Sequence, residues 1–298
     1  MFPRGLDKHI EMRYHKIGNK VRKDLKVFTN FFVCRIIQLM DIGQFFWLLS
    51  QPFLYNIKRK DNVNERTTES KTCEEIMTTI YKPIEFYVEN LIAQGLYILA
   101  GAPKVGKSWL SLDICLSIAK GEKVLGQPTS QGAVLYLCLE DNFRRIQNRL
   151  YDMTDEPVDN LFFSVLADSI GNGLEEQIEF FKTEHSDLKI VFIDTLQMIR
   201  NSDEPSYSSD YKELTVLKNL ADNLGISIVI VHHTRKSIDR DPFNMISGST
   251  GLSGCVDGSM VLIETKRGSR KAVMHCVGRD IENCEISLVF DNDIKNRS

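Results

Sequence analysis

A chain of 298 residues with 43% hydrophobic, 26% charged and 9% aromatic side chains has ordinary globular composition, which excludes collagenous, coiled-coil and wholly disordered architectures. Its formal net charge of -3 hides an asymmetry: residues 1–60 hold 12 Lys and Arg against 4 Asp and Glu, a balance of +8, leaving -11 on the other 238. An acidic body does not coat nucleic acid over its whole surface, so any polyanion must be met by local basic patches.

The first part of the chain carries no chemical motif. Met1 to about Lys60 is basic with clustered aromatics (Phe28, Phe31, Phe32, Phe45, Phe46, Trp47) and ends in Lys58-Arg59-Lys60, before a polar run, Asp61 to Lys71, that reads as a linker. Residues 1–71 are therefore expected to form a basic segment, helical or partly disordered, ahead of a domain over 72–298. An appended helical segment, a DNA-contacting or partner-docking arm, and a translated leader outside the native fold are all open readings of it. Ile42 to Ile57 is uncharged, but its 16 residues include Gln44, Ser50, Gln51, Pro52 and Asn56, short of the roughly 20 apolar residues of a spanning helix. No membrane span and no secretory leader are expected. Seven scattered cysteines, none in a C-x-x-C pair, read as reduced thiols in a cytoplasmic protein.

From about Glu74 onward, short apolar runs alternate with longer segments of helical period. The runs are Leu96 to Ala100, Ala133 to Leu139, Ile190 to Ile193, Ser227 to Val231 and Ser259 to Ile263. Between them lie Ser108 to Lys120, Asn142 to Met153, Leu174 to Glu184 and Tyr211 to Leu224. Strands that are apolar at nearly every position are buried on both faces, as in a parallel sheet covered by helices. An α/β fold follows, with a doubly wound, mostly parallel sheet. Toward the end the period shortens: Ser259 to Lys266, Lys271 to Val277 and Glu285 to Phe290 read as strands of a C-terminal antiparallel hairpin extension.

One motif directly follows the first run. Gly101-Ala102-Pro103-Lys104-Val105-Gly106-Lys107-Ser108 matches G-x-x-x-x-G-K-[ST], with a strand before it and a helix after it. The glycines let successive N–H groups turn inward on a phosphate, and the helix adds its positive end. Lys107 would meet the β- and γ-phosphates, and the Ser108 hydroxyl would be one ligand of a Mg²⁺ ion. These eight residues and the adjoining Trp109 are the expected ATP contacts.

Neighbouring strands should deliver the remaining groups at their C-terminal ends, the edge where open α/β sheets bind ligands. Leu188 to Ile193 ends in Asp194, a carboxylate suited to the metal held by Ser108, or else the cap of a following helix. Val134 to Leu139 ends in Glu140-Asp141. Glu140, nearer the strand and longer, is the preferred group to orient the attacking water; Asp141 is the alternative, or the cap of the next helix. Ile226 to Val231 ends in His232-His233-Thr234. Side chains alternate across a strand, so only one histidine can face the nucleotide, and adjacent histidines make a poor metal site.

Together these features resemble the RecA-like ATPase core, and within it the RepA-type replicative helicase branch of AAA family ATPases (AAA_25). Further matches are Gly95-Leu96, the basic segment Arg144, Arg145 and Arg149 after Glu140-Asp141, Ile246-Ser247-Gly248-Ser249-Thr250-Gly251, and Gly278-Arg279-Asp280. The likeness covers roughly Ile76 to Asp291. It implies ATP hydrolysis in a ring of subunits, a hexamer in the family's pattern, with Glu140 as catalytic base, Asp194 on Mg²⁺ and His233 as γ-phosphate sensor. It also implies a basic residue reaching in from a neighbouring subunit, for which Lys266, Arg267 and Arg279 are candidates. Two loops, Arg200 to Tyr211 and Arg235 to Ser249, would face a central channel. The second carries Arg235, Lys236 and Arg240 for single-stranded DNA, but also Asp239 and Asp241, and only Phe243 as a stacking platform.

The expected activity is that of a cytoplasmic, Mg²⁺-dependent ATPase. Its leading form is a homohexameric DNA helicase or replication motor of a plasmid, phage or mobile element, working with replication partner proteins. An ATP-switched assembly protein that binds DNA or a partner without translocating is the alternative. A small-molecule kinase using the same loop is a third reading.

Overall fold

The computed structural model describes residues 70–200, 207–235, 239–247, 250–266 and 268–291. The basic N-terminal segment and most of its linker, Lys236 and Arg267 lie outside the described residues. The chain divides into two units, Met1–Ile80 and Tyr81–Ser298. The described part of the first holds one short helix, α1 (Cys73–Thr78). A capping box sets its start: Thr72 Oγ1 accepts from the Glu75 N–H while the Glu75 carboxylate accepts from the Thr72 N–H.

The second unit opens with an antiparallel pair, β1 (Phe86–Val88) and β2 (Ile92–Ala93). It continues through β3 (Gly95–Gly101), α2 (Lys107–Lys120), β4 (Ala133–Cys138), α3 (Phe143–Met153), β5 (Leu161–Ser164), α4 (Leu174–Glu184) and β6 (Leu188–Asp194). A 3-10 turn at Leu196–Ile199, α5 (Tyr207–Leu224), β7 (Ser227–His233), a second 3-10 turn at Pro242–Met245 and α6 (Thr250–Cys255) follow. The last strands are β8 (Gly258–Glu264), β9 (Lys271–Gly278) and β10 (Cys284–Val289).

Eight strands form one sheet in the order β10-β9-β8-β3-β7-β6-β4-β5. β3 pairs parallel with β7 and β8, β6 with β7 and β4, and β4 with β5; β9 runs antiparallel to β8 and β10. The expected doubly wound sheet with an antiparallel extension is thus present.

The full burial of β3 and β4 follows from helices on both faces. On one face Tyr97, Leu99, Val134, Tyr136, Phe192 and Val229 pack with Leu112, Ile114, Cys115 and Ile118 of α2. On the other, Leu96, Ile98, Leu135, Val191, Ile228 and Ile230 pack with Leu174 and Ile178 of α4 and with Leu214, Leu217 and Ala221 of α5. Each fully buried aliphatic side chain of this kind contributes about 1.5–3 kcal/mol. Parallel pairing places the C-terminal ends of β3, β4, β6, β7 and β8 along one edge, so Gly101, Leu139, Asp194, His233 and Glu264 share it.

The short helix α1, the β1–β2 pair, β5 and α6 were not expected, and α5 begins at Tyr207 rather than Tyr211. Among the described residues no helix is long and apolar enough to cross a membrane.

Candidate active site

The phosphate-loop sequence lies at the β3–α2 junction. A Cβ on Gly101 would stand 2.9 Å from both the Leu262 carbonyl oxygen and Val105 Cγ1, so close approach to β8 demands glycine there. Gly106 takes the left-handed φ of 105° that starts α2, with no side-chain cap, and Lys104 is also left-handed at 66°. Ala102, Pro103 and Lys104 are exposed, and the Val105 N–H closes the loop on the Ala102 carbonyl at 3.3 Å. The first N–H groups of a helix have no acceptor within it. At an uncapped start, those of Lys107, Ser108 and Trp109 therefore favour an anion.

Lys107 is buried, and its ammonium donates to the carbonyls of Gly101 at 2.9 Å and Ala102 at 3.1 Å. Burial draws it below the ordinary lysine value, against the opposing pull of Asp194 and Glu140.

Two carboxylates stand nearby, each held by hydroxyl groups. Asp194, 8% exposed, accepts on Oδ2 from Ser108 Oγ at 2.8 Å and from the Tyr136 phenol at 3.0 Å. Burial raises its pKa, while those two bonds and Lys107 hold it down and Glu140 adds to the rise. Tyr136 is itself pushed well up by burial and by Asp194, which keeps its phenol a donor. Glu140 is exposed at the end of β4, and its Oε1 accepts from Thr195 Oγ1 at 2.9 Å. Ser108 and Asp194 thus offer a hydroxyl and a carboxylate side by side, an all-oxygen donor set of the kind Mg²⁺ takes.

Asp141 is otherwise engaged. Its oxygens bind Arg145 at 2.8 Å and Arg149 at 2.5 Å, and α3 is capped instead by Asn142, which accepts from the Arg145 N–H at 3.0 Å. Asp141 is therefore not the cap of α3, and both of its oxygens are held by arginines.

The histidines part as strand alternation requires. His233 is opposite Gly101 in the β3–β7 register and on the α2 side of the sheet, the side of Tyr136 and Asp194. Its Nδ1 is buried with no hydrogen-bond partner among the described residues. His232 points to the other side, where Nε2 lies 2.9 Å from the Ser247 carbonyl oxygen.

The basic candidates scatter. Lys266 is exposed at the β8–β9 turn on the loop's edge of the sheet. Arg279 sits at the opposite edge, its N–H on the Asp257 carbonyl at 2.8 Å and its guanidinium 3.3 Å from the Asp257 carboxylate; the structure does not bring it to this protomer's site. Arg235 and Arg240 are exposed in the loop after β7, with the Arg235 N–H tied to the Met245 carbonyl at 2.7 Å. Phe243 is not a free platform there, because it packs on the apolar core beside α5.

Trp109 borders a cleft of about 610 Å³ beside the loop, between α2 and the ends of β8 and β10. Its ring meets Phe290 edge-on at 5.5 Å and has the Arg149 guanidinium 5.7 Å away. Two groups escaped the sequence reading, Tyr136 and Thr195. The signal for Tyr136 was a polar-tipped side chain two residues before the end of an otherwise apolar strand. Thr195 directly follows Asp194 and was overshadowed by it.

The AAA domain family profile (AAA_25) matches residues 69–239, more than half of the chain. Among solved structures, one described as an ATPase domain aligns with a TM-score of 0.57 at 15% identity, over 68% of this chain and 84% of that one. Another, "The Structure Of A DnaB-Like Replicative Helicase And Its Interactions With Primase", aligns with a TM-score of 0.56 at 15% identity, over 69% of this chain but only 56% of that one. With a phosphate loop leading out of its central strand and a fold shared with replicative helicase ATPase domains, this chain belongs to the AAA_25 family of RecA-like P-loop ATPases.

Proposed function

We propose that this protein is a cytoplasmic, Mg²⁺-dependent ATPase whose 72–298 domain works in a homo-oligomeric ring, a hexamer by the resemblance, as a motor on single-stranded DNA. Replication of a plasmid, phage or other mobile element is the setting the family resemblance favours, with residues 1–71 as a separate basic segment and replication proteins as partners. The observation that carries the reading is the convergence on one sheet edge of an uncapped helix start, a lysine, and the Ser108–Asp194 and Thr195–Glu140 pairs.

The chemistry is positional and electrostatic. Loop N–H groups and the α2 dipole hold the phosphates of ATP. The Lys107 ammonium exchanges the Gly101 and Ala102 carbonyls for phosphate oxygens, which bear more charge. Ser108 and Asp194 are the groups that would hold Mg²⁺, which when bound neutralises charge on the phosphate oxygens. Glu140, steadied on one oxygen by Thr195 and open to solvent, keeps its other oxygen for the proton of an attacking water. His233 lies where a terminal phosphate could be sensed.

Turnover of ATP by the full chain, with and without single-stranded DNA, tests this reading in the wild type and in Glu140→Gln. DNA should stimulate the wild type, and the variant should lose turnover by about a hundredfold or more while still binding ATP. Retained turnover in Glu140→Gln would remove that residue from the role of base. The acidic neighbours of Arg240 and the packed Phe243 favour one specific rival, an ATP-dependent assembly switch. Turnover indifferent to DNA, in a protein that still oligomerises with ATP, would decide for the switch.

A further inference from the structure

We infer that Tyr136 is a positioning residue of this site, its phenol fixing the Asp194 carboxylate in the orientation at which Asp194 and Ser108 together receive a divalent cation. The inference rests on the ATPase reading above and adds to it a residue outside every motif.

Three observations carry it. First, the phenol and the Ser108 hydroxyl donate to the same oxygen, Oδ2, at 3.0 and 2.8 Å. Two donors converging on one oxygen from different elements, β4 and α2, leave the carboxylate little freedom to rotate. A serine hydroxyl that has given its only proton to a carboxylate turns its lone pairs elsewhere, as a metal ligand must. Second, Tyr136 is rigid. It is 2% exposed, with its ring 6.1 Å from Phe163 and 5.9 Å from Phe192, so the core dictates where its hydroxyl stands. Third, an ionised carboxylate as buried as Asp194 needs hydrogen bonds. Ser108 must offer its oxygen to the cation while it donates, so Tyr136 is the donor to Asp194 that has no second task. A tyrosine that merely fills the core would need an acceptor for its hydroxyl, yet nothing in that need would link it to the metal requirement of the site.

Tyr136→Phe removes one hydroxyl and leaves a ring that suits a core already built with Phe163 and Phe192. The full chain would be titrated with Mg²⁺ at fixed concentrations of a fluorescent ATP analogue, alongside thermal midpoints. The variant should bind metal-free nucleotide as the wild type does. It should need about tenfold more Mg²⁺ to reach half of the metal-induced gain in affinity, the scale of one hydrogen bond to a charged group. On an Asp194→Asn background the same substitution should add nothing. An unchanged Mg²⁺ requirement in Tyr136→Phe, whatever its thermal midpoint, overturns the assignment, and so do effects that simply add on the Asp194→Asn background. A wild type that binds nucleotide with no gain from Mg²⁺ overturns the ATPase reading and this assignment with it.

Discussion

His232 and His233 show how one position along a strand separates two environments. His233 stands opposite Gly101 on the α2 side, whereas His232 enters the other face and meets the Ser247 carbonyl oxygen at 2.9 Å. Burial lowers the His232 pKa from 6.5; His233 and Arg200 push the same way, and the Ser247 carbonyl and Asp210 oppose. A folded state that resists protonation loses stability as the pH falls below the unfolded value. Stability from this residue is therefore complete above about pH 6.5 and declines from there down through the folded value. Thermal midpoints recorded from about pH 7.5 to 5.5 should fall less steeply in His232→Gln than in the wild type. Parallel curves would show that the residue has no part in the acid sensitivity. At this scale the strand-end groups Glu140, Asp194 and His233 were legible because strand ends and alternation fix where they emerge. Tyr136 was not, because in a strand of apolar letters a phenol reads as one more core side chain until the carboxylate beneath it is seen.

Among the elements, β3 depends on a glycine far from the phosphates. Gly95 has φ 133°, and a Cβ there would lie 2.5 Å from Asp257 Oδ2. That oxygen accepts from the Leu96 N–H at 2.9 Å and the Lys218 ammonium at 2.8 Å, and the Asp257 N–H returns a bond to the Leu96 carbonyl at 2.7 Å. One carboxylate thus joins the starts of β3 and β8 to α5. Gly95→Ala would strain the backbone and displace this acceptor, at a cost of about 2–4 kcal/mol. A shifted denaturant midpoint with unchanged nucleotide affinity is the expected result, since Gly95 and Gly101 lie at opposite ends of one strand. A wild-type midpoint would show that the contact relaxes freely. Two element boundaries were readable: α4 runs from Leu174 to Glu184, as its period indicates, although no side chain caps its start, and α2 stops before the left-handed Gly121. β5 escaped although Leu161-Phe162-Phe163 is apolar, because the strand is only four residues long and buries only Leu161, so it has neither the length nor the two-sided burial of its neighbours.

For the molecule as a whole, parallel pairing decides which groups can meet. It gathers the loop, both carboxylates and His233 on one edge and sends Arg279 to the other. Lys266 stays on the productive edge but points from an exposed turn, the placement expected of a group that serves a neighbouring copy. Mixing two inactive proteins tests this. Lys107→Ala should not bind nucleotide productively, and Lys266→Ala should bind without turnover. If sites are shared between subunits, the mixture should regain ATPase activity that neither variant has alone. No recovery would place the work of Lys266 within its own subunit or outside catalysis. The fold class and its antiparallel extension were legible from apolar runs and their change of period. The strand order was not, because no local pattern reveals which parallel strands become neighbours.

The edge-on contact of Trp109 with Phe290 has a practical consequence. The chain contains two tryptophans, Trp47 and Trp109, and only the second is embedded in the first turn of the helix that follows the phosphate loop. Its indole also has a guanidinium from α3 beside it, that of Arg149, which binds Asp141 next to the candidate base. The protein thus carries a native fluorophore in contact with Phe290 and Arg149 at the start of the phosphate-loop helix, and replacing Trp47 by phenylalanine would leave that emission as a single, label-free probe of that helix start.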